Sequence, residues 1–290
     1  MDMNLTYTNH KNERIVLGPD SIYHYGRHNL FDGTFEFEVD NNTISSIHRA
    51  PVEKTLPVGI STKSEEEGIK ARNQLFRVFE VDAKAKRYGS LKYGDYVLRC
   101  VRIASNKDNW WWKDTLAEDV LTLLAPTPAW VREIIYNFNA KTPVEGDGEF
   151  ETGYVKRYPY GYPFGYGVKN KPRLINIEAF AECPQFRFVI YGPALNPSIY
   201  IGTNRYRVNV VIPVDGLLII DSREELEPIM MYDSVGIATN VFDKRVWGAE
   251  GSGTDIFCPI PAGMSQVYWD NSFAWDLYVY VEQGEPICFH

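Results

Sequence analysis

A chain of 290 residues, 44% hydrophobic and 23% charged, can bury the cores of two ordinary domains without help from metal or disulfide. Its 30 Lys and Arg stand against 38 Asp and Glu, and the formal net charge of -8 argues against a surface built to grip phosphates, hence against direct nucleic-acid binding. The cysteines, Cys100, Cys183, Cys258 and Cys288, lie far apart with no C-x-x-C spacing, which argues against zinc-ribbon and thioredoxin readings and predicts reduced, mostly buried thiols.

The N-terminus shows no basic region followed by an apolar run, so no signal peptide is predicted, and no stretch approaches the length of a membrane span. The chain opens on two short strand-like runs between Leu5 and Leu17 around a polar turn at Asn9 to Asn12, which predicts a hairpin. From Thr34 to Val39, Phe35, Phe37 and Val39 alternate with Glu36, Glu38 and Asp40, the signature of a strand with one face buried and one wet. A helix over 64–82 follows. Ser64 and Glu67 form a capping box, and Ala71, Leu75, Val78 and Phe79 share one face at 3.6 spacing. Gly89 to Gly94 reads as a turn into a long strand from Tyr96 to Ile103.

Trp110, Trp111 and Trp112 stand in a row. In a strand they point to both faces, so they serve either core packing or contact with another chain or domain. Asp114 to Leu124 has strand or mixed character, and the prolines of Ala125 to Trp130 break the exit from a first domain. Polar, glycine-bearing loop chemistry follows between Ala140 and Gly153. It leads to Tyr158, Tyr160, Tyr162, Phe164 and Tyr166, which alternate with only Pro and Gly, so the tract is extended with its rings largely on one side. These rings suit a stacking platform for sugar or the lining of a joint between domains.

Beyond the tract the pattern is almost wholly β. Phe186, Phe188 and Ile190 alternate with polar or outward residues, as do Tyr206, Val208, Val210 and Ile212, with turns at Gly202 to Asn204 and Asp215 to Gly216. In the last strand Phe273, Trp275, Leu277, Val279 and Val281 point inward against Asp276, Tyr278, Tyr280 and Glu282. This spells an antiparallel sandwich.

Catalytic chemistry finds little support in the sequence. His24 and His28 are four apart, but Gly26 and the flanking tyrosines argue against a helical metal pair. Glu65, Glu66 and Glu67 suit the start of a helix, and Glu224 and Glu225 a solvated turn, rather than carboxylates facing each other across a cleft. Neither G-x-S-x-G nor a phosphate loop nor a dinucleotide fingerprint occurs. The sequence therefore predicts no enzyme, cofactor or metal.

The run Tyr191, Gly192, Pro193, Ala194, Leu195, Asn196, Pro197, the hairpin ending at Leu217 to Asp221, and Ile260 to Met264 ahead of the Trp275 strand resemble the distal tail proteins of long-tailed bacteriophages. The Leu5 to Tyr7 opening, the Gly89 to Gly94 segment, Leu124 to Trp130 and the aromatic tract fit in the same order. The resemblance implies a mainly β fold: a split-barrel-like N-terminal β domain over 1–140 with one helix, a linker and aromatic tract over 141–167, and a galectin-like antiparallel sandwich over 168–290 whose final residues pack back on the first domain. It also implies a virion protein at the tail tip, forming a homohexameric ring that joins the major tail tube protein to the tail-associated hub protein and mounts receptor-binding or other baseplate proteins. DNA would only pass through the lumen. On this reading the aromatic tract becomes a joint. A carbohydrate-binding adhesin acting through the sandwich is the alternative.

Overall fold

The computed structural model describes residues 4–107, 115–140, 173–179, 181–223, 228–249 and 253–286. The fold is mainly β and divides into two compact units, Met1–Glu133 with Glu282–His290, and Ile134–Val281.

The first unit contains β1 (Leu5–Thr8), β2 (Arg14–Leu17), β3 (Tyr23–Tyr25), β4 (Glu36–Asp40), β5 (Thr43–His48), β6 (Val52–Ser61), α1 (Glu65–Ala85), β7 (Gly89–Tyr93), β8 (Tyr96–Asn106), β9 (Leu116–Ala125) and the start of β10 (Trp130–Phe138). Strands pair in the order β8-β7-β1-β2-β3-β6-β9, and β9 returns to β8, closing a seven-stranded barrel. Closure depends on β8. Its first half, Tyr96 to Cys100, pairs with β7, and from Val101 onward it pairs with β9, with an irregularity in that ladder between Arg102 and Ala104. One extra residue at such a bulge turns the strand and tightens its twist. Closing the ladder removes the free edges that an open sheet leaves.

The expected opening hairpin is present, with Tyr7 opposite Ile15 and Asn12 at φ 64 in the turn. Gly89 to Gly94 is not one turn. Residues 89–93 form β7, paired to both β1 and β8, and the turn is confined to Gly94 and Asp95. Gly89 therefore does not mark a turn; it makes room for the Asp82 and Tyr7 side chains.

Inside the barrel, Leu5, Tyr7, Ile15, Leu17, Leu91 and Leu98 share a core with Ala71, Leu75, Val78 and Phe79 of α1. The Tyr7 and Phe79 rings stack at 4.0 Å. The helix starts where the sequence indicates: Ser64 Oγ accepts from the Glu67 amide, and Glu65, Glu66 and Glu67 occupy the first turn, where negative charge suits the macrodipole. It runs to Ala85, and Lys86 closes it in the left-handed conformation at φ 54.

At the end of α1 sits a buried polar cluster. Asp82, with no exposed surface, accepts from Tyr7 Oη at 2.5 Å and from the His10 amide at 2.9 Å, and His10 Nδ1 lies 2.5 Å from its Oδ1. A buried carboxylate needs several such partners to offset the loss of water. Burial, then the Asp82 hydrogen bond, pushes the Tyr7 phenol well above its ordinary range. Burial, then the Asp82 charge, pushes the Cys100 thiol up to about 12, so at neutral pH it is protonated and inert.

His28 lies near Tyr25, at 5.6 Å between ring centroids, and edge-on to Phe31 at 4.9 Å. Burial lowers its pKa below the ordinary 6.5. The unfolded chain then binds this proton more readily than the folded one, so stability is full above pH 6.5 and declines as pH falls below it. His28→Gln is expected to flatten that part of a melting-temperature profile measured against pH. An unchanged profile would contradict the assignment.

The second unit contains the rest of β10 and then β11 (Arg173–Ile177), β12 (Phe186–Tyr191), β13 (Ala194–Leu195), β14 (Ser198–Ile201), β15 (Asn204–Arg207), β16 (Val211–Ile212), β17 (Leu217–Asp221), β18 (Ile229–Tyr232), β19 (Ala238–Asn240), β20 (Gly263–Tyr268) and β21 (Trp275–Gln283), whose last residues belong to the first unit. Antiparallel ladders run β19-β18-β17-β12-β21 on one side and β11-β20-β14-β15 on the other. Inward residues of both, among them Phe188, Leu218, Trp275 and Leu277 against Ile175, Ile199, Tyr206 and Val267, form one core. That is a sandwich, with the predicted turns at Gly202, φ +59, and at Asp215, φ 59.

Two details differ from expectation. Tyr280 is buried rather than outward, with the Arg223 guanidinium 3.7 Å from its ring centroid. The continuous alternation from Tyr206 to Ile212 is buried as expected but interrupted, because Val208 bridges to Arg245 between β15 and β16.

Candidate interaction surfaces

Trp110, Trp111, Trp112, Tyr158, Tyr160, Tyr162, Phe164 and Tyr166 all lie outside the described residues, as do Cys288, Glu224 and Glu225. The described part of the chain presents other surfaces.

The most apolar is a hairpin that the sequence had suggested would be half buried. Among the described residues β4 and β5 pair only with each other, joined through Asn41 and Asn42 at φ 47 and 64, the left-handed pair that a tight hairpin turn requires. Phe37 stands opposite Ile47 and Val39 opposite Ile44, with Phe35 two residues earlier on the same face. All five side chains are 52 to 65% exposed, and every position of β4 is exposed. Alternation correctly marks a strand here, but nothing in the described chain covers its apolar face apart from the Arg49 guanidinium, 4.8 Å from the Phe35 ring centroid. Glu36, Glu38 and Asp40 occupy the opposite face, with His48 Nε2 3.4 Å from Glu36.

The outside of the barrel has a contrasting character. Register aligns Arg14, Thr8, Ser90 and Arg99 in one row across β2, β1, β7 and β8, and Val16, Thr6, Lys92 and Val97 in the next. Residues directly opposite in antiparallel pairs share a face. These outward positions therefore hold three cations, two valines and three hydroxyls, and no acid.

In the second unit the outward face of β14, β15 and β20 sets Tyr200 opposite Tyr268, ring centroids 6.1 Å apart, with Arg205 beside Tyr200 and its Nε donating to Ser198 Oγ at 2.9 Å. Tyr191 donates to Asp276 at 2.7 Å, and that bond, with burial second, pushes its phenol up to about 12. A cavity of about 590 Å³ in the first unit brings together one imidazole, one hydroxyl and one carboxylate, from His24 on β3, Ser61 on β6 and Glu118 on β9. His24 Nδ1 is held 3.1 Å from the Gly18 carbonyl oxygen. Among the described residues no group of three or more His, Cys, Asp or Glu is arranged to hold a metal, and no helix is long and apolar enough to cross a membrane.

No family model matches the sequence, and no curated protein matches it either. Solved structures do. A chain of the phage P2 baseplate in its activated conformation with calcium superposes with TM-score 0.56 at 13% identity, covering 98% of this chain and 99% of that one. A chain of the strontium-bound phage p2 baseplate gives 0.56 at 12% identity with the same coverage, 98% and 99%. The SPP1 Dit (gp 19.1) protein, described as a paradigm of hub adsorption apparatus in Gram-positive infecting phages, gives 0.54 at 6% identity over 97% of this chain and 98% of that one. End to end, this chain has the fold of phage baseplate and hub proteins, the fold that the resemblance to distal tail proteins implied.

Proposed function

We propose that the chain is a non-enzymatic virion protein that forms a homohexameric ring at the distal end of a phage tail, joining the tail tube to the hub protein and carrying receptor-binding proteins. The observation that supports this most is the end-to-end likeness to baseplate and hub chains, because it includes both units rather than one common module. Fold alone does not give function. The exposed hairpin adds an independent reason to expect assembly, since a monomer gains nothing from holding five apolar side chains in water. Native mass spectrometry of the purified chain, alone and with its tail partners, is expected to show a species of six times the 33.3 kDa chain mass. Monomer under every condition would refute the ring.

A second reading, a carbohydrate-binding adhesin, is favoured by Tyr200 and Tyr268 beside Arg205, since aromatic faces stack on sugar rings and guanidinium groups bond their hydroxyls. It requires binding to host cell-wall polysaccharide that falls at least tenfold in Tyr200→Ala/Tyr268→Ala; binding that is absent in the parent chain removes it.

A further inference from the structure

We infer that the free edge of β19, in the second unit, receives an extended strand donated by a different polypeptide, which adds to the sheet beside it. The inference rests on the virion reading above only for the particle in which the donor is found.

β19 stands at the end of its sheet, paired with β18 on one side and with nothing among the described residues on the other. The Val241 amide donates to the Ile229 carbonyl at 3.0 Å, and the Asp233 amide to the Ile237 carbonyl at 3.2 Å. Antiparallel pairs alternate between residues that exchange backbone hydrogen bonds and residues that do not. The backbones of Ile237, Thr239 and Val241 therefore face β18, and those of Ala238 and Asn240 face away. The outward N–H and C=O groups of Ala238 and Asn240 have no partner among the described residues. Backbone groups at that repeat are matched by another extended backbone, the geometry of strand addition.

Proteins guard such an edge with lysine, proline, a bulge or a covering loop. Here Val235 to Val241 contains no charge and no proline, and all three positions of β19 are exposed. On the core side Val241 is buried and Met231, opposite Thr239, packs against the core, but Ile237 is 63% exposed and Val235, in the adjoining turn, 83%. A donated strand with apolar residues at alternate positions would cover both and continue the core past Thr239.

A second copy fits this edge less well. A symmetric pairing that uses all the outward groups sets Ala238 against Asn240 of the other chain, and the same register brings Val235 against Asp243. Asp243 lies in the short 3-10 helix Phe242–Lys244, with which the extended edge ends. The most exposed apolar side chain would thus meet a carboxylate, whereas a foreign strand is free to meet it with an apolar residue.

Hydrogen exchange of the full chain, resolved to single amides and measured both in isolation and in purified tails, tests this. In the isolated chain the Ala238 and Asn240 amides are expected to exchange freely while that of Val241 is protected; in tails the first two should slow about tenfold or more. Ala238→Pro removes an outward N–H and leaves the β18 ladder whole, since an edge strand tolerates proline where its N–H faces solvent. Melting temperature confirms that the variant folds. Tails carrying it are expected to lose the protection of Asn240 and, with it, the donor protein. Free exchange of Ala238 and Asn240 in wild-type tails, or protection of Asn240 that survives the proline, would overturn the inference. Protection that appears in the isolated chain as its concentration rises would assign the edge to a second copy and overturn it equally. A chain absent from purified tails would instead sink the virion reading, and the donated strand with it.

Discussion

Gly89→Ala is expected to destabilise the first unit by about 3–5 kcal/mol, the range seen when a buried polar cluster is broken. A Cβ at this position would stand 2.4 Å from Asp82 Oδ2 and 2.5 Å from Tyr7 Oη, far inside contact distance. Neither atom has room to retreat. Asp82 is held by the His10 amide and imidazole, and Tyr7 is stacked on Phe79. The methyl group would separate two groups that have no water to replace one another, leaving a buried carboxylate short of a donor. At roughly 3 °C per kcal/mol for a unit of this size, the melting transition should fall by about 10 °C or more. Gly33→Ala, where an added Cβ meets nothing within 4 Å, is the control and should stay within about 0.5 kcal/mol of the parent. Equal melting temperatures for the two variants would mean that the cluster carries little of the fold's stability.

The second large effect is expected in the sandwich. Trp275 has no exposed surface, stacks on Phe138 at 4.0 Å with 11° between the planes, and meets Trp269 edge-on at 5.7 Å. Trp275→Ala should cost about 3–5 kcal/mol, since it removes apolar burial and the ring contacts with Phe138, Trp269 and Phe188 and leaves a cavity. Trp275→Phe should cost less than half as much. It keeps a ring against Phe138 and deletes the buried indole Nε1–H, which has no acceptor among the described residues. Urea unfolding followed by far-ultraviolet circular dichroism gives both values; a Phe variant as damaged as the Ala variant would contradict the account.

These two sites show how much of the fold the sequence reveals. Trp275 was legible because a strand buried on one face repeats every second residue, and the apolar residues Phe273, Trp275, Leu277, Val279 and Val281 keep that spacing, although Tyr280 between the last two is buried as well. The helix was legible for a similar reason, with its cap and acidic first turn in the expected order. Asp82 was not. A carboxylate near a helix end ordinarily reads as solvated, yet position 82 lies on the face of Leu75, Val78 and Phe79, and that spacing was the available signal. Gly89 misled because glycine marks a turn in sequence patterns, while here it allows side chains from two distant segments to meet.

The hairpin marks the deeper limit. Alternation of Phe35, Phe37 and Val39 with acids states that a strand has an apolar face, and it is silent on whether that face is covered by the same chain or another. The cationic barrel face was less legible still, because Arg14, Lys92 and Arg99 come from three strands and become neighbours only through register. The Trp and Tyr residues singled out from the sequence fall outside the described residues.

The central claim, a ring at the tip of a phage tail, is most directly tested by cryo-electron microscopy of the assembled particle. Six copies of this chain are expected around the tail axis between tube and hub, with the barrels touching one another. Density for the chain elsewhere in the particle, or as isolated copies that do not contact each other, would contradict it.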